Sequence, residues 1–595
     1  MPKRSPLVPV MGFVLVAAFL SPGAASAQSS PPEKITFTMG TLEDLIAPNP
    51  FEAEGGSDYE MLFLAYDMLY NFGQKDLAPV SGLAYWPPTH SADYKTWTFK
   101  IRQGVKWSDG VPLTARDVAF TYNLINERDL GTFSQELGVP IEHNAFEAPD
   151  DTTLIWHMQE RSLTPEHPPW IPILPEHIWG KYMSDQYDNR DIHEVPNVPA
   201  VGSGPFVLTE WQQGRYWKME ANKQYWGGAP QIDEVVFRVY DTPEGLKLAL
   251  LGGEVDAVDG LPPTVFQTLE NQPNITTNVA SPRYWGNLAF NFEGTADPSL
   301  HNENVRLAIA HSIDKQAIVD RVFLGYGSVG TTIINPVSTR WHWEPPKDQV
   351  IGYEPREAER LLDQAGYKDV NGDGFRETPN GDPWQLQVLT VTDWSSSVAE
   401  GKLISGWMND IGIKASTKAA TSAKVTDLWW SQDFDMYVWG WGTAPDPQWY
   451  LSVFISDQCL NWSDGCWKDP VYDRMYEQQT SAIDYETRHE IVDQMQQYLY
   501  EQIPEVVLTY ESGLQAYRND RFTGFVNQPE PNGNLFYAWS PWSYLSIRPV
   551  GATQATGEGG GGVSAGLLVG VIVVLVVVVA VLVVVRRRKS EETNE

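Results

Sequence analysis

Tryptophan is concentrated in one part of the chain, where indole rings could form a binding surface. Eight of the 24 tryptophans lie within the 61 residues from Trp407 to Trp467. An indole offers a wide apolar face and one N–H donor, which suits peptide side chains and sugar rings alike. Trp439 and Trp441 are two residues apart, so they share one face of a β-strand, and a Gly-Thr-Ala-Pro turn follows them. This pair predicts one wall of a binding cleft, whereas most other tryptophans are expected to fill a core.

The same stretch continues with Thr443 and Asp446, which would add hydrogen bonds and a negative charge to that wall. A carboxylate can receive a ligand ammonium group, yet an Asp next to Pro447 often caps a helix or a turn. Both roles stay open for Asp446. The ten histidines show no paired metal-binding spacing, and Gly202-Ser203-Gly204 fits close strand packing better than a nucleophile elbow. We therefore predict a binding site without a catalytic residue, a metal ion or a cofactor.

The segment from Asp369 to Asn380 begins like a calcium-binding EF-hand loop. Asp369, Asn371, Asp373 and a glycine occupy the first, third, fifth and sixth positions. The twelfth position holds Asn380 in place of the bidentate glutamate of such loops. The pattern favours a hairpin turn over a calcium site.

The two ends of the chain predict secretion and a membrane anchor. Basic residues, an apolar stretch and Ala25-Ser26-Ala27 are typical of a signal peptide over 1–27. The run from Val563 to Val585 holds only apolar residues, Gly, Ala and one Ser. As a helix it rises about 35 Å, enough to cross the roughly 30 Å apolar layer of a bilayer. The basic residues that follow predict a cytoplasmic tail over 586–595, with a Gly-rich linker over 551–562 outside the membrane.

Composition limits the classes of protein and partner. The formal net charge of −34 gives a surface that repels nucleic acid, so we expect no nucleic-acid partner. The part between the two ends is too long for a single hydrophobic core and predicts two or three lobes. Cys459 and Cys466 are the only cysteines, and outside the cell we expect them to form a disulfide. A disulfide that closes so short a loop would contribute about 2 to 3 kcal/mol to stability and would constrain a single surface loop.

Helix and strand signals alternate along the chain and predict the α/β class. An opening strand is expected over 35–39, and Thr114 with Asp117 resembles a capping box at the start of a helix. Asp314 reads as a helix cap. Pro355 opens a further helix that Gly366 closes.

Four stretches in order carry a family resemblance: Phe99 to Val118; Gly202 to Phe206 with Trp211, Gly214, Asn222, Tyr225 and Trp226; Val305 to Lys315; and Trp439 to Pro447. They resemble the large solute-binding proteins of ABC importers, the family named for oligopeptide, dipeptide and nickel uptake. The likeness extends from Ile35 to about Arg548. It implies a periplasmic-binding-protein-like fold of two α/β lobes across a cleft, with the chain crossing the hinge more than once.

By this resemblance the first lobe spans 28–282 and returns at 520–550, with a subdomain inserted at about 57–195. The second lobe spans 283–519. Arg283, Tyr284 and Trp285 would lie at the hinge crossing and contact the ligand together with the predicted wall. Peptide-binding relatives commonly carry a carboxylate between the wall tryptophan and the Asp-Pro pair, where it receives the peptide ammonium group. Here Gly442, Thr443 and Ala444 fill that interval, which leaves room for neutral oligosaccharides.

The resulting hypothesis is a monomeric, membrane-tethered, extracytoplasmic receptor that captures peptides between its lobes and delivers them to an ABC permease. An oligosaccharide-binding component of the same transporter class is the alternative. A secreted glycoside hydrolase also fits the abundance of tryptophans and acids, and a surface sensor without a transporter would differ only in its partners. The chain has no phosphate-binding Gly-Lys-Ser/Thr sequence, so the energy for transport must come from another subunit.

Overall fold

The computed structural model describes residues 34–552 except 54, 129, 131–132, 134–144, 163–170, 443–445, 462 and 539. The predicted signal peptide, transmembrane run and cytoplasmic tail lie outside the described residues, as does the linker beyond residue 552. Among the helices of the described part, none is long and apolar enough to cross a membrane.

The described strands are short except for two near the middle of the main sheet. They are β1 Thr36–Thr41, β2 Tyr70–Phe72, β3 Pro79–Ser81, β4 Thr89–His90, β5 Thr96–Lys100, β6 Phe146–Asp150, β7 Thr153–His157, β8 Phe206–Gln212, β9 Tyr216–Ala221, β10 Glu234–Val239, β11 Ala257–Val258, β12 Ile275–Phe290, β13 Gly327–Val329, β14 Gln385–Val391, β15 Lys414–Ala420, β16 Met436–Gly442, β17 Glu505–Arg518, β18 Phe522–Thr523 and β19 Arg548–Pro549.

The described α-helices alternate with these strands, as the sequence predicts. They are α1 Gly56–Ala65, α2 Ala115–Arg128, α3 Glu176–Trp179, α4 Asn189–His193, α5 Pro243–Gly252, α6 Pro263–Phe266, α7 Glu303–Ser312, α8 Lys315–Arg321, α9 Pro355–Gln364, α10 Ser395–Asp410, α11 Ser422–Trp430, α12 Gln448–Ser452, α13 Pro470–Thr480, α14 Tyr485–Gln502 and α15 Trp542–Ser546.

Several local sequence signals act as expected. The side chain of Asp314 accepts the N–H of Ala317 and caps α8. Gly366, just after α9, has a φ of +90°, a conformation that glycine adopts without strain. A Cβ atom at Gly202 would lie 1.9 Å from the carbonyl oxygen of Ala65. Gly202 therefore allows the close backbone approach that the sequence favoured over a nucleophile.

The main sheet runs through both halves of the molecule in the order β15-β14-β16-β12-β17-β11-β1-β10-β9-β8, and β13 also pairs with β17. β12 and β17 are its two long central strands and pair antiparallel along most of their length. A separate sheet has the order β4-β5-β7-β6.

The long strands pass from one half of the sheet into the other. Residues 275–280 of β12 pair with 513–518 of β17 beside β11, whereas residues 284–289 pair with 505–511 beside β16. Between these two parts the register shifts at Ala280, Pro282 and Tyr284. Pro282 has no N–H to donate, so the ladder is interrupted there. This interruption is the crossing point between the halves, which we call the hinge.

Each half has its own hydrophobic core. The first comes from residues 37–275 and 514–547 and includes Phe37, Trp217 and Phe237, which are fully buried. The second comes from residues 285–510 and includes Leu288 and Ile404. The protein is therefore a two-lobed α/β structure in which β12 and β17 belong to both lobes.

Candidate ligand-binding cleft

The second-lobe part of the main sheet next to the hinge contains most of the sequence-predicted site residues. There the start of the second-lobe part of β12 pairs with the end of β16, so that Tyr284 lies opposite Gly442 and Trp285 opposite Trp441. Arg283 belongs to β12, but its side chain lies outside the described part, as does the whole of Thr443. We call the hinge-proximal ends of β12, β16 and β17 the binding wall.

Both predicted wall tryptophans are partly buried. Trp439 meets Trp394 edge to face, with ring centroids 5.8 Å apart and planes at 89°. Trp441 meets Trp449 in the same manner at 4.9 Å and 80°. These contacts fix the two rings and leave part of each accessible.

The indole of Trp441 is held by a buried acid, Asp464. Nε1 of Trp441 donates to Oδ2 of Asp464 at 2.8 Å, and the Tyr437 hydroxyl donates to Oδ1 of the same carboxylate at 2.8 Å. The Asn287 amide donates to Asp464 at 3.0 Å and to Oε2 of Glu505 at 2.6 Å. Burial raises the pKa of both acids, and the charge of Asp464 raises that of Glu505 further. Two carboxyls this close are stable when one of them keeps its proton.

The disulfide loop supplies that buried acid. Cys459 and Cys466 are bonded, and Asp464 lies between them in the chain. The main chain of Phe292 donates to the Gly465 carbonyl at 2.9 Å, and a Cβ at Gly465 would lie 1.7 Å from the Phe290 carbonyl. The bridged loop thus packs directly against the end of β12. This corrects the expectation of a mere surface loop, because Asp464 and Cys466 are 5% and 1% exposed.

Asp446 is engaged within the protein. Arg488 donates to its two carboxylate oxygens at 2.7 and 2.8 Å, and the main chain of Gln448 donates to Oδ1 at 2.9 Å. The Arg488 side chain is 3% exposed and lies over the ring of Trp341. Of the two roles left open by the sequence, the structure shows the turn-stabilising one, together with an ion pair to the buried Arg488 that the sequence did not indicate.

The hinge residues divide between surface and core. Tyr284 is 42% exposed, with its ring beside Gly442. Trp285 is 1% exposed and belongs to the core of the second lobe. This corrects the expectation for Trp285, because a ring buried on all sides cannot contact a ligand in this conformation. Strand alternation places adjacent residues on opposite faces, so only one of two neighbours can face the cleft.

Two acids that the sequence did not single out lie beside the wall. Glu511 is on β17 opposite Tyr284 and is partly exposed. Glu400 is on α10, is 2% exposed, and interacts electrostatically with Glu511. Burial raises the pKa of Glu511 to about 7, and burial together with Glu511 raises that of Glu400. In the sequence, Glu511 is marked only as an acid within a largely apolar stretch, 506–517.

The calcium-like segment forms a hairpin, with a bridge between Lys368 and Glu377. The Asp369 carboxylate accepts the N–H groups of Gly372 and Gly374 at 2.6 and 3.0 Å. Across the described ranges, no group of three or more His, Cys, Asp or Glu could hold a metal ion.

Comparisons with known proteins agree with this architecture. The oligopeptide-binding protein AppA of Bacillus subtilis is 28% identical over 436 residues, which cover 70% of this chain and 76% of that protein. The structure of AppA in complex with a nonapeptide matches with a TM-score of 0.69 at 22% identity, over 86% of this chain and 98% of the chain in that structure.

The oligopeptide ABC transporter binding protein of Thermotoga maritima, in a structure with bound mannohexaose, matches with a TM-score of 0.72 at 21% identity, over 88% of this chain and all of that one. The sequence profile of the bacterial extracellular solute-binding proteins, family 5 Middle, matches residues 78–462, more than half of the chain. The chain therefore belongs to family 5 of the bacterial extracellular solute-binding proteins, the substrate-binding components of ABC importers.

Proposed function

We propose that this protein captures peptides in the cleft between its two lobes and delivers them to an ABC permease. The observation that carries the proposal is the binding wall, where the exposed Tyr284 lies opposite the acid Glu511 at the hinge and two partly buried tryptophans belong to the adjacent strand β16. Aromatic faces beside a few polar groups are typical of a site for mixed side chains. The structure of a related protein, AppA of Bacillus subtilis, is known in complex with a nonapeptide.

Closure of the lobes would complete the site. We infer a first lobe of 28–282 and 520–550 with an inserted subdomain at about 57–195, and a second lobe of 283–519, in which the part of β17 from Gly513 pairs with the first lobe. A ligand that contacts both lobes stabilises the closed state, and the permease would recognise that state.

The chain termini support a tethered receptor. We infer that the signal peptide is cut after Ala27, that 563–585 spans the membrane and that 551–562 is a flexible linker. The linker has a mean reach of about 20 Å by random-coil scaling, which would keep the lobes close to the permease at the outer face. We infer that the protein acts there as a monomer.

Oligosaccharides are the second candidate ligand. The interval from Gly442 to Ala444 lacks a carboxylate, and indole faces stack well on sugar rings. The Thermotoga maritima relative has been crystallised with mannohexaose. This candidate differs from the first in needing no negative charge at the wall.

Tryptophan fluorescence distinguishes the two ligand classes. The full-length protein would be titrated with a mixed peptide pool and, separately, with a mixed oligosaccharide pool. A saturable change with peptides alone is expected. A change with sugars alone would reassign the protein to carbohydrate uptake, and no change with either pool would contradict a receptor for these solutes. Release of sugar products from the oligosaccharide pool would instead indicate a glycoside hydrolase.

A further inference from the structure

Glu400 and Glu511 differ from two other acids of the described chain, Asp446 and Asp256, which each have an arginine partner. Asp446 is paired with Arg488, and Asp256, which is fully buried, is 2.7 Å from Arg521. Within the described part of the chain, no basic side chain offsets the raised pKa of Glu400 or Glu511. Oε1 of Glu400 is buried and has no hydrogen-bond partner among the residues that the structure describes. Such a group is costly unless a ligand or a proton compensates it.

A second unpaired polar atom lies on the same face of the wall. Thr509 is fully buried, and no described residue forms a hydrogen bond with its hydroxyl. Thr509 and Glu511 are two residues apart on β17, so they share one face of the strand. A Cβ atom at Gly286 would lie 3.1 Å from Oγ1 of Thr509 and 3.3 Å from Oε1 of Glu511. The carboxylate of Glu511 and the hydroxyl of Thr509 thus both lie next to the position where a side chain at Gly286 would project.

An aromatic ring borders the same place. Gly440 lies opposite Gly286, and a Cβ at Gly440 would lie 2.8 Å from Cη2 of Trp394. Trp394 precedes α10, the helix that carries Glu400. An indole beside a carboxylate favours a cationic group, because the ring face attracts positive charge.

The location fits the end of a bound peptide. Glu511 lies opposite Tyr284, which in turn lies opposite Gly442, the first residue of the interval without a carboxylate. Glu511 is partly exposed, whereas Glu400, which interacts with it electrostatically, is 2% exposed.

We propose that Glu511, with the buried Glu400 near it and with Thr509 and Trp394 at its sides, binds the α-ammonium group of a peptide ligand. The inference rests on the proposed function and specifies how a peptide is recognised without a carboxylate at 442–444. When Glu400 keeps its proton, the two acids together carry one negative charge, on Glu511. This charge balances the single positive charge of the ligand ammonium group. The raised pKa of Glu400 agrees with this protonation state.

The test compares free and N-acetylated peptides. Full-length protein in detergent is mixed with a random pentapeptide pool, either with free α-amines or fully N-acetylated, and bound peptides are identified by mass spectrometry and titrated by tryptophan fluorescence. We expect the free-amine pool to bind about tenfold or more tightly than the acetylated pool, because a paired ammonium group and carboxylate contribute at least this much at a shielded site. This comparison needs no variant.

Two variants locate the charge. Glu511→Gln should weaken binding of free-amine peptides by about tenfold and leave binding of acetylated peptides unchanged, because it removes the charge and keeps the shape. Glu293→Gln is the matched control, since Glu293 is exposed at the opposite end of the second-lobe part of β12. Glu400→Gln should weaken free-amine binding less than Glu511→Gln does.

The outcomes separate this inference from the proposed function. Equal binding of both peptide pools, or an unchanged affinity of Glu511→Gln for free amines, would overturn the inference and leave peptide capture standing. Binding of oligosaccharides alone would overturn both the inference and the choice of peptides. Binding of no pool would contradict the proposed receptor function itself.

Discussion

The indole of Trp441 and the carboxylate of Asp464 join the binding wall to the disulfide loop through a single 2.8 Å hydrogen bond. Trp441 is on β16, whereas Asp464 lies in the loop closed by Cys459 and Cys466. Because Asp464 also accepts from Tyr437 and Asn287, one buried side chain orients residues on two strands. The arrangement of the wall therefore depends on a loop outside the sheet.

Removal of the Trp441 ring should weaken ligand binding. We expect Trp441→Ala to raise Kd by about fivefold or more, since an aromatic anchor in a cleft contributes above about 1 kcal/mol. Trp430→Ala is the control, because Trp430 is 54% exposed on α11 and is not part of the wall. Fluorescence titration with a peptide that the wild type binds gives both values. A change of about twofold or less for Trp441→Ala would remove Trp441 from the site.

Removal of the Asp464 carboxylate should destabilise the second lobe. Asp464→Ala removes the acceptor of two buried donors, from Tyr437 and Asn287, and of the partly buried indole of Trp441, and we expect the free energy of unfolding to fall by about 3 kcal/mol. Urea unfolding followed by circular dichroism measures the change. Asp427→Ala provides the comparison, because the Asp427 side chain is 72% exposed. Similar midpoints for the two variants would show that the network contributes little.

The ion pair between Arg488 and Asp446 should be structural. Asp446→Ala leaves a buried guanidinium unpaired and should lower the free energy of unfolding by about 3 kcal/mol, whereas the double change with Arg488→Met should restore part of it. Ligand affinity of the folded single variant should change little, because the carboxylate is already engaged by Arg488. A large loss of affinity without a loss of stability would instead assign Asp446 to the ligand.

Stability should fall as the pH rises from about 4 to about 7, in part because of Asp67. Burial raises the pKa of Asp67 from 3.8 to about 7, although hydrogen bonds from Trp226 and Tyr225 oppose the shift. A carboxyl with a raised pKa in the folded state contributes stability that is complete below the pKa of the unfolded state. That stability is lost as the pH rises through the folded pKa. Thermal unfolding of Asp67→Asn should show a shallower pH dependence than the wild type, and identical slopes would contradict the assignment.

The predicted membrane anchor can be tested by fractionation. We expect the full-length protein to remain with the membranes after an alkaline carbonate wash, because a spanning helix of 23 apolar and small residues is not displaced by changes of charge. A chain that ends at Val550 should be recovered in the soluble fraction. Release of the full-length protein by carbonate would show that 563–585 does not span the bilayer.

Local rules predicted much of the fold, since the Asp314 cap and the glycine after α9 depend on neighbouring residues alone. The shared face of Trp439 and Trp441 likewise follows from strand alternation. Contacts distant in sequence were not predictable in this way. The pairing of Asp446 with Arg488 and the approach of Glu400 to Glu511 join segments that only the assembled lobe brings together.

The interrupted ladder between β12 and β17 also has a mechanical consequence. Two adjacent strands that are hydrogen-bonded on both sides of the hinge resist being pulled apart or slid past each other, because either motion would break many bonds at once. Bending at the register shifts around Pro282 breaks few. The strand pair is therefore expected to bend at one place only. The lobes should rotate about a nearly fixed axis at that place and return by the same rotation after the ligand leaves.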